Sequence, residues 1–132
     1  MTVKTTGFRS LKGKIRRAVP IAQSKFASVN KENAEDVAAL ARVLVPKGET
    51  LTAVASIRTF KWPGDATAYA VSFGPLSRIL EGGTEERFTT DGQARGRSPA
   101  RPFVTPAFGG TRAKRKARNR KAVRDAWKQA DG

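Results

Sequence analysis

The 132 residues include no cysteine and no histidine. Without cysteine there is no disulfide framework, and without either residue type the common zinc and haem ligand sets are excluded. The missing histidine also removes the usual general base at neutral pH, and no thiol is present for a nucleophile–base pair. Acidic residues are few, 11 against 26 Lys and Arg. Apolar residues make up 39% of the chain, below the roughly 45–50% of an average globular domain. A modest core with polar appendages is therefore expected, in one domain over residues 1–132. No stretch approaches the ~20 continuous apolar residues of a membrane span, so no membrane partner is expected. The basic N-terminus lacks the apolar h-region of a secretory signal, which points to the cytoplasm as the place of synthesis.

What is abundant is positive charge, net +15. Residues 1–31 carry eight basic side chains and no acid, Arg16 and Arg17 among them. Residues 109–132 carry nine basic side chains against Asp125 and Asp131, while residues 32–108 hold nine of each sign. The whole surplus therefore lies at the two ends, around a neutral middle. Such ends suit phosphates or an acidic protein surface.

Periodicity orders the middle. Phe8, Leu11 and Ile15 mark a first helical stripe within the basic segment 1–20, which Pro20 is expected to interrupt. Phe26, Val29, Asn33, Val37, Leu40 and Leu44 share one face of a helix expected over Ile21–Leu44. Residues 52–62 read as a strand with imperfect alternation, "PGDA" (63–66) as a turn, and 67–73 as a second strand, together a β-hairpin. Leu76, Ile79 and Leu80 suggest one helical turn, ended by Gly82-Gly83. Residues 84–100 read as a flexible polar loop. "RPFVTPAF" (101–108) carries two prolines and reads as a stiff extended segment presenting Phe103 and Phe108. The basic C-terminal segment 109–132 reads as a helix from Thr111, its cap, to Ala130. The expected fold is α+β: a long N-terminal helix packed on a small antiparallel sheet, with a basic C-terminal helix.

Chemistry-bearing motifs are scarce. "GGTRAKRK" lacks the spacing and the Gly-Lys-Ser/Thr ending of a phosphate loop. Glu81, Glu85 and Glu86 cluster, but three loop carboxylates are more often solvated than metal-bound. No enzyme activity, cofactor or metal is expected. The basic tail is either a solvated helix kept soluble by its charge or a polyanion-binding one. Arg112, Arg115, Lys116, Arg118, Lys121 and Arg124 read as surrounding the helix, which suits non-specific contact better than base readout. Trp127 reads as a packing or interface anchor rather than a base-stacking platform.

Four segments in order carry a resemblance: "ARVLVP" (41–46) closing a helix, "KGETL" (47–51), "ILEGGT" (79–84) after a hairpin, and "RPFVTPA" (101–107) before a terminal helix. The pattern resembles the neck, or tail-completion, family of long-tailed bacteriophages, small head–tail joining proteins. That family has a Thr-Gly-x-Leu turn, a Glu-Phe-Gly-Thr motif and a Pro-Phe-x-x-Pro-Ala motif. Here the last is close, Gly82 stands where an aromatic is usual, and the turn is shifted. The resemblance spans about Gly7 to Val123. It implies a structural virion protein, assembled as a homo-oligomeric ring between the portal connector and the tail-terminator or tail-tube ring, with genome DNA passing through the lumen. It makes Glu81, Gly83 and Thr84 scaffold positions, and Pro102, Phe103, Pro106 and Phe108 an assembly motif. Two other readings stand beside it: a tail terminator, and a free basic protein binding DNA or RNA.

Overall fold

The computed structural model describes residues 6–48, 51–97 and 99–131. In chain order the elements are α1 (Thr6–Leu44), α2 (Thr52–Ala55), β1 (Arg58–Lys61), β2 (Tyr69–Ser72), α3 (Ser77–Gly82), β3 (Arg87–Phe88), β4 (Ala94–Gly96) and α4 (Val104–Asp131). The expected α+β arrangement is present: a long N-terminal helix packs on a small antiparallel sheet and on a C-terminal helix. The chain is mostly helical.

α1 and α4 run antiparallel. Lys14 pairs with Asp131 at 2.6 Å near one end, and Asn33 Nδ2 donates to Asn119 Oδ1 at 3.0 Å midway. At the other end Ala41 and Ala107 enter the same core. The buried positions of both helices are mostly alanine: Ala18, Ala34, Ala38 and Ala41 in α1, then Ala107, Ala122, Ala126 and Ala130 in α4. Alanine costs no side-chain entropy and lets helices approach closely. The larger apolar groups gather at the C-terminal end of α1, where Val37, Val45, Ile57 and Phe103 are buried and Leu40, Val54, Val71, Phe73 and Leu80 close around them.

The hairpin β1–β2 lies over this core in antiparallel register, Thr59 opposite Val71 and Phe60 opposite Ala70. Two side chains of α1 fix it. Asn30 Nδ2 donates to the Thr67 carbonyl at 2.7 Å, and Arg42 Nη2 donates to the Ile57 carbonyl at 2.9 Å. Beyond β2 the chain turns at Gly74, whose φ of 84° favours glycine. A Cβ there would strike the Cβ of Ser56.

Several expectations are corrected. Pro20 does not interrupt the first helix: α1 is continuous over 39 residues. A proline in a helix interior costs about 3 kcal/mol. Here it sits on an exposed side, where water can serve the carbonyl it leaves unpaired, and α4 locks the helix on both sides of it, at Arg17 and at Asn33. Residues 52–55 are a helical turn and not strand, with the Ala55 and Ser56 N–H groups donating to the Leu51 and Thr52 carbonyls. The imperfect alternation marks that change. The polar loop 84–100 carries a second hairpin, β3–β4, closed by Thr89 and Gln93. The C-terminal helix starts at Val104, so "RPFVTPAF" is a helix start and not an extended segment. Thr111 is accordingly no cap. It lies buried inside α4, its hydroxyl donating to the Ala107 carbonyl at 2.8 Å. Glu49 and Thr50 of the "KGETL" turn, and Ser98 of the loop, lie outside the described residues.

Candidate functional site

The first turn of any helix leaves four backbone N–H groups without intrahelical partners. In α4 these positions are Phe103, Val104, Thr105 and Pro106, since the first intrahelical bond runs from Ala107 N to Phe103 O. Glu81, at the end of α3, takes three of them. Its Oε2 accepts from Phe103 N at 2.8 Å and Val104 N at 2.9 Å, and its Oε1 accepts from Thr105 N at 2.8 Å. The fourth residue is proline and has no N–H to satisfy. Negative charge at a helix N-terminus also complements the helix dipole. Burial pushes the Glu81 carboxyl up, but the hydrogen bonds from Thr105, Val104 and Phe103 outweigh it and hold it at about 2.

Two of the four segments that carry the family resemblance, 79–84 and 101–107, thus meet in one contact. Gly83 closes α3 with φ 70° and ψ −175°, a region essentially restricted to glycine, and its N–H donates to the Ile79 carbonyl at 2.7 Å. Arg101 N donates to the Leu80 carbonyl at 2.7 Å, pinning the approach to α4. Thr84 is half-buried and follows directly. Phe103 is fully buried, its ring edge-on to Phe73 at 6.0 Å. Phe108, at the same distance from Phe73, is partly exposed and lies under the Arg115 guanidinium. Pro102 and Pro106 are exposed. The anchor of this segment is therefore the chain's own core.

The basic residues separate into two sets. Some are engaged within the chain. Arg118 is half-buried, bonded to Asn33 Oδ1 at 2.8 Å and paired with Asp36 at 2.8 Å and Glu32 at 3.1 Å. Arg115 donates to Thr111 and to the Phe108 carbonyl. Arg17 donates to the Ala130 carbonyl at 3.2 Å, at the C-terminus of α4. Arg16 is exposed. The rest of α4 departs from the expectation of charge on every face, because α1 covers one side and consumes its cations. Arg112, Lys116, Arg120, Arg124 and Lys128, all exposed, stand at four-residue intervals, and Lys121 is exposed beside them. Arg120 and Lys128 were not singled out in the sequence, although the i, i+4 spacing shows them.

The apolar stripe of α1 also divides. Its C-terminal part reaches the core at Val37 and Leu40, while Leu44 at its end is 41% exposed. Its N-terminal part outruns the sheet: Phe8 is 68% exposed, and Leu11, Ile15 and Val19 are each nearly half exposed. On the hairpin, strand parity places Phe60 and Trp62 opposite to buried Ile57, and both rings are exposed in mutual contact. An open groove of about 800 Å³ separates α1, at Val19 and Phe26, from the hairpin turn at Gly64–Thr67. Two of its polar side chains are engaged in structure, Asn30 with Thr67 and Asp65 with the Thr67 N–H and hydroxyl. Lys14 lies 4.0 Å from the Trp127 ring. Among the described residues no group of three potential metal ligands converges, and no helix is long and apolar enough to cross a membrane. No protein-family model, curated protein or solved structure matches the chain.

Proposed function

We propose that this chain is a structural subunit of the neck of a long-tailed bacteriophage, assembling as a closed ring that joins the DNA-filled head to the tail, and that it performs no catalysis. The observation that carries the reading is the Glu81 clamp. The Glu-x-Gly-Thr and Pro-Phe-x-x-Pro-Ala segments, which resemble that family, hold each other by three hydrogen bonds, as scaffold positions should.

The uncovered surfaces support assembly. Phe8, Leu11, Ile15 and Val19 continue the stripe that packs the core, and the described residues leave them exposed. Contiguous apolar surface of this kind marks an interaction site. The aromatic pair Phe60 and Trp62 offers a second apolar surface on a different part of the molecule. Two unlike surfaces that fit one another make a heterologous contact, which closes into a ring when its rotation allows. In this reading the stripe of one copy receives the hairpin rings of the next.

The double substitution Leu11→Asp and Ile15→Asp tests it. Both side chains are exposed, so helicity and thermal stability of the isolated chain should change by no more than about 0.5 kcal/mol. In the phage encoding it, heads and tails should accumulate unjoined. Joined, infectious particles from that variant would overturn the reading.

A further inference from the structure

The cations of α4 that α1 does not consume form a shallow spiral, each i, i+4 step turning about 40° so that five residues sweep about 160° of the helix. Arg112, Lys116, Arg120, Arg124 and Lys128 follow one i, i+4 ridge, all exposed. At 1.5 Å per residue, neighbours on the ridge stand about 6 Å apart and the five span about 24 Å. The only acids of α4 are elsewhere: Asp131 pairs with Lys14, and Asp125 is half-buried in a groove shared with Lys25, Glu32 and Arg118 of the α1–α4 seam. Like charges at i, i+4 repel one another, so the ridge is held against its own electrostatics. The α1-facing side of the same helix shows the contrast, because there Lys114 and Arg118 meet Asp36 and Glu32.

We infer that this ridge is a contact surface for the phosphate backbone of double-stranded DNA, without base readout. A duplex presents one negative charge per about 1.7 Å of axis, so about fourteen phosphates lie alongside a 24 Å ridge. The chemistry favours phosphate over an acidic protein. Arginine is common at protein interfaces, but the centres of those interfaces are organised around side chains seated in pockets, whereas this ridge is a succession of long cations with Ala113 and Ala117 beside it. Regularly spaced cations winding over the uncovered side of α4 meet a regular polyanion, and nothing on the ridge distinguishes one base pair from another. The inference goes beyond the neck reading and stands on the geometry of α4 alone. A ring can join head to tail without touching DNA, and a DNA contact does not require a ring.

The test is the salt dependence of binding by the full chain to a labelled mixed-sequence duplex of about thirty base pairs, read by fluorescence anisotropy. Five phosphate contacts give a slope of log K against log salt of about −4.5, an affinity loss of about 500-fold between roughly 50 and 200 mM salt. Each single change, such as Lys116→Gln or Arg120→Gln, should flatten the slope by about 0.9. The fivefold variant with Gln at all these positions should lose the slope while keeping its helical circular dichroism. Lys31→Gln, an exposed change on α1, should leave it unaltered. The inference is overturned if the folded fivefold variant keeps the wild-type slope. It is equally overturned if the wild type binds poly-glutamate but not the duplex, which would assign the ridge to an acidic protein. A chain that binds DNA through the ridge but is absent from tailed particles would overturn the neck reading and leave this one standing.

Discussion

Glu81 is one carboxylate serving three donors. Its removal leaves the first turn of α4 without a cap from outside the helix. Glu81→Ala is expected to destabilise the fold by about 2 kcal/mol, and Glu81→Gln by less, because one acceptor oxygen remains. Chemical denaturation of the purified chain measures both. The pH dependence has a definite sign. The folded carboxyl titrates at about 2, below its ordinary value of 4.5. Its contribution is therefore fully present above pH 4.5 and is lost as pH falls through 2. The stability gap between wild type and Glu81→Gln should be constant from pH 7 down to about 4.5 and should close below it. A gap that persists unchanged at pH 2 would contradict the clamp. The sequence shows the glutamate and places it in a motif, but the clamp itself was not legible. Its donors lie 22 to 24 positions away, and no local spacing links them. The Asn33–Asn119 bond, across 86 positions, was hidden for the same reason.

Elements were legible in proportion to their periodicity. The α1 stripe and the β1–β2 hairpin follow from spacing and from the "PGDA" turn. The proline errors fall where a local rule met its context, whereas the turn at 52–55 and the β3–β4 hairpin are local structures that the sequence pattern marks only weakly. Proline argues against helix at Pro20 and in "RPFVTPAF", yet both sites are helical. At Pro106 the objection vanishes because a first-turn N–H has no intrahelical partner to lose. At Pro20 the cost is real and is offset by packing of α1 along α4. Pro20→Ala should therefore stabilise the chain, by up to about 3 kcal/mol, read as a rise in the melting temperature. An unchanged or lowered melting temperature would mean that the proline's geometry is itself required. The ridge on α4 is the converse case. Its spacing is fully visible in the sequence, but which side of the helix stays open depends on α1.

At the scale of the molecule, the neutral middle and basic ends acquire positions. Residues 32–108 build the core end, with the hairpin, α3 and the Glu81 clamp. The basic halves of α1 and α4 lie side by side and extend away from it. A chain with a net charge of +15 repels its own copies unless anions or an acidic neighbour compensate. In a ring around DNA the ridge would meet that compensation, while the stripe on α1 and the rings on the hairpin would hold subunit to subunit. The proposed neck role is tested most directly by a cryo-electron microscopy reconstruction of the head–tail junction of tailed particles from the source of this sequence. The expected result is a closed ring of this chain between connector and tail, with Leu11 and Ile15 of each copy covered by its neighbour. A junction without this chain, or a ring in which those side chains face solvent, would contradict the account.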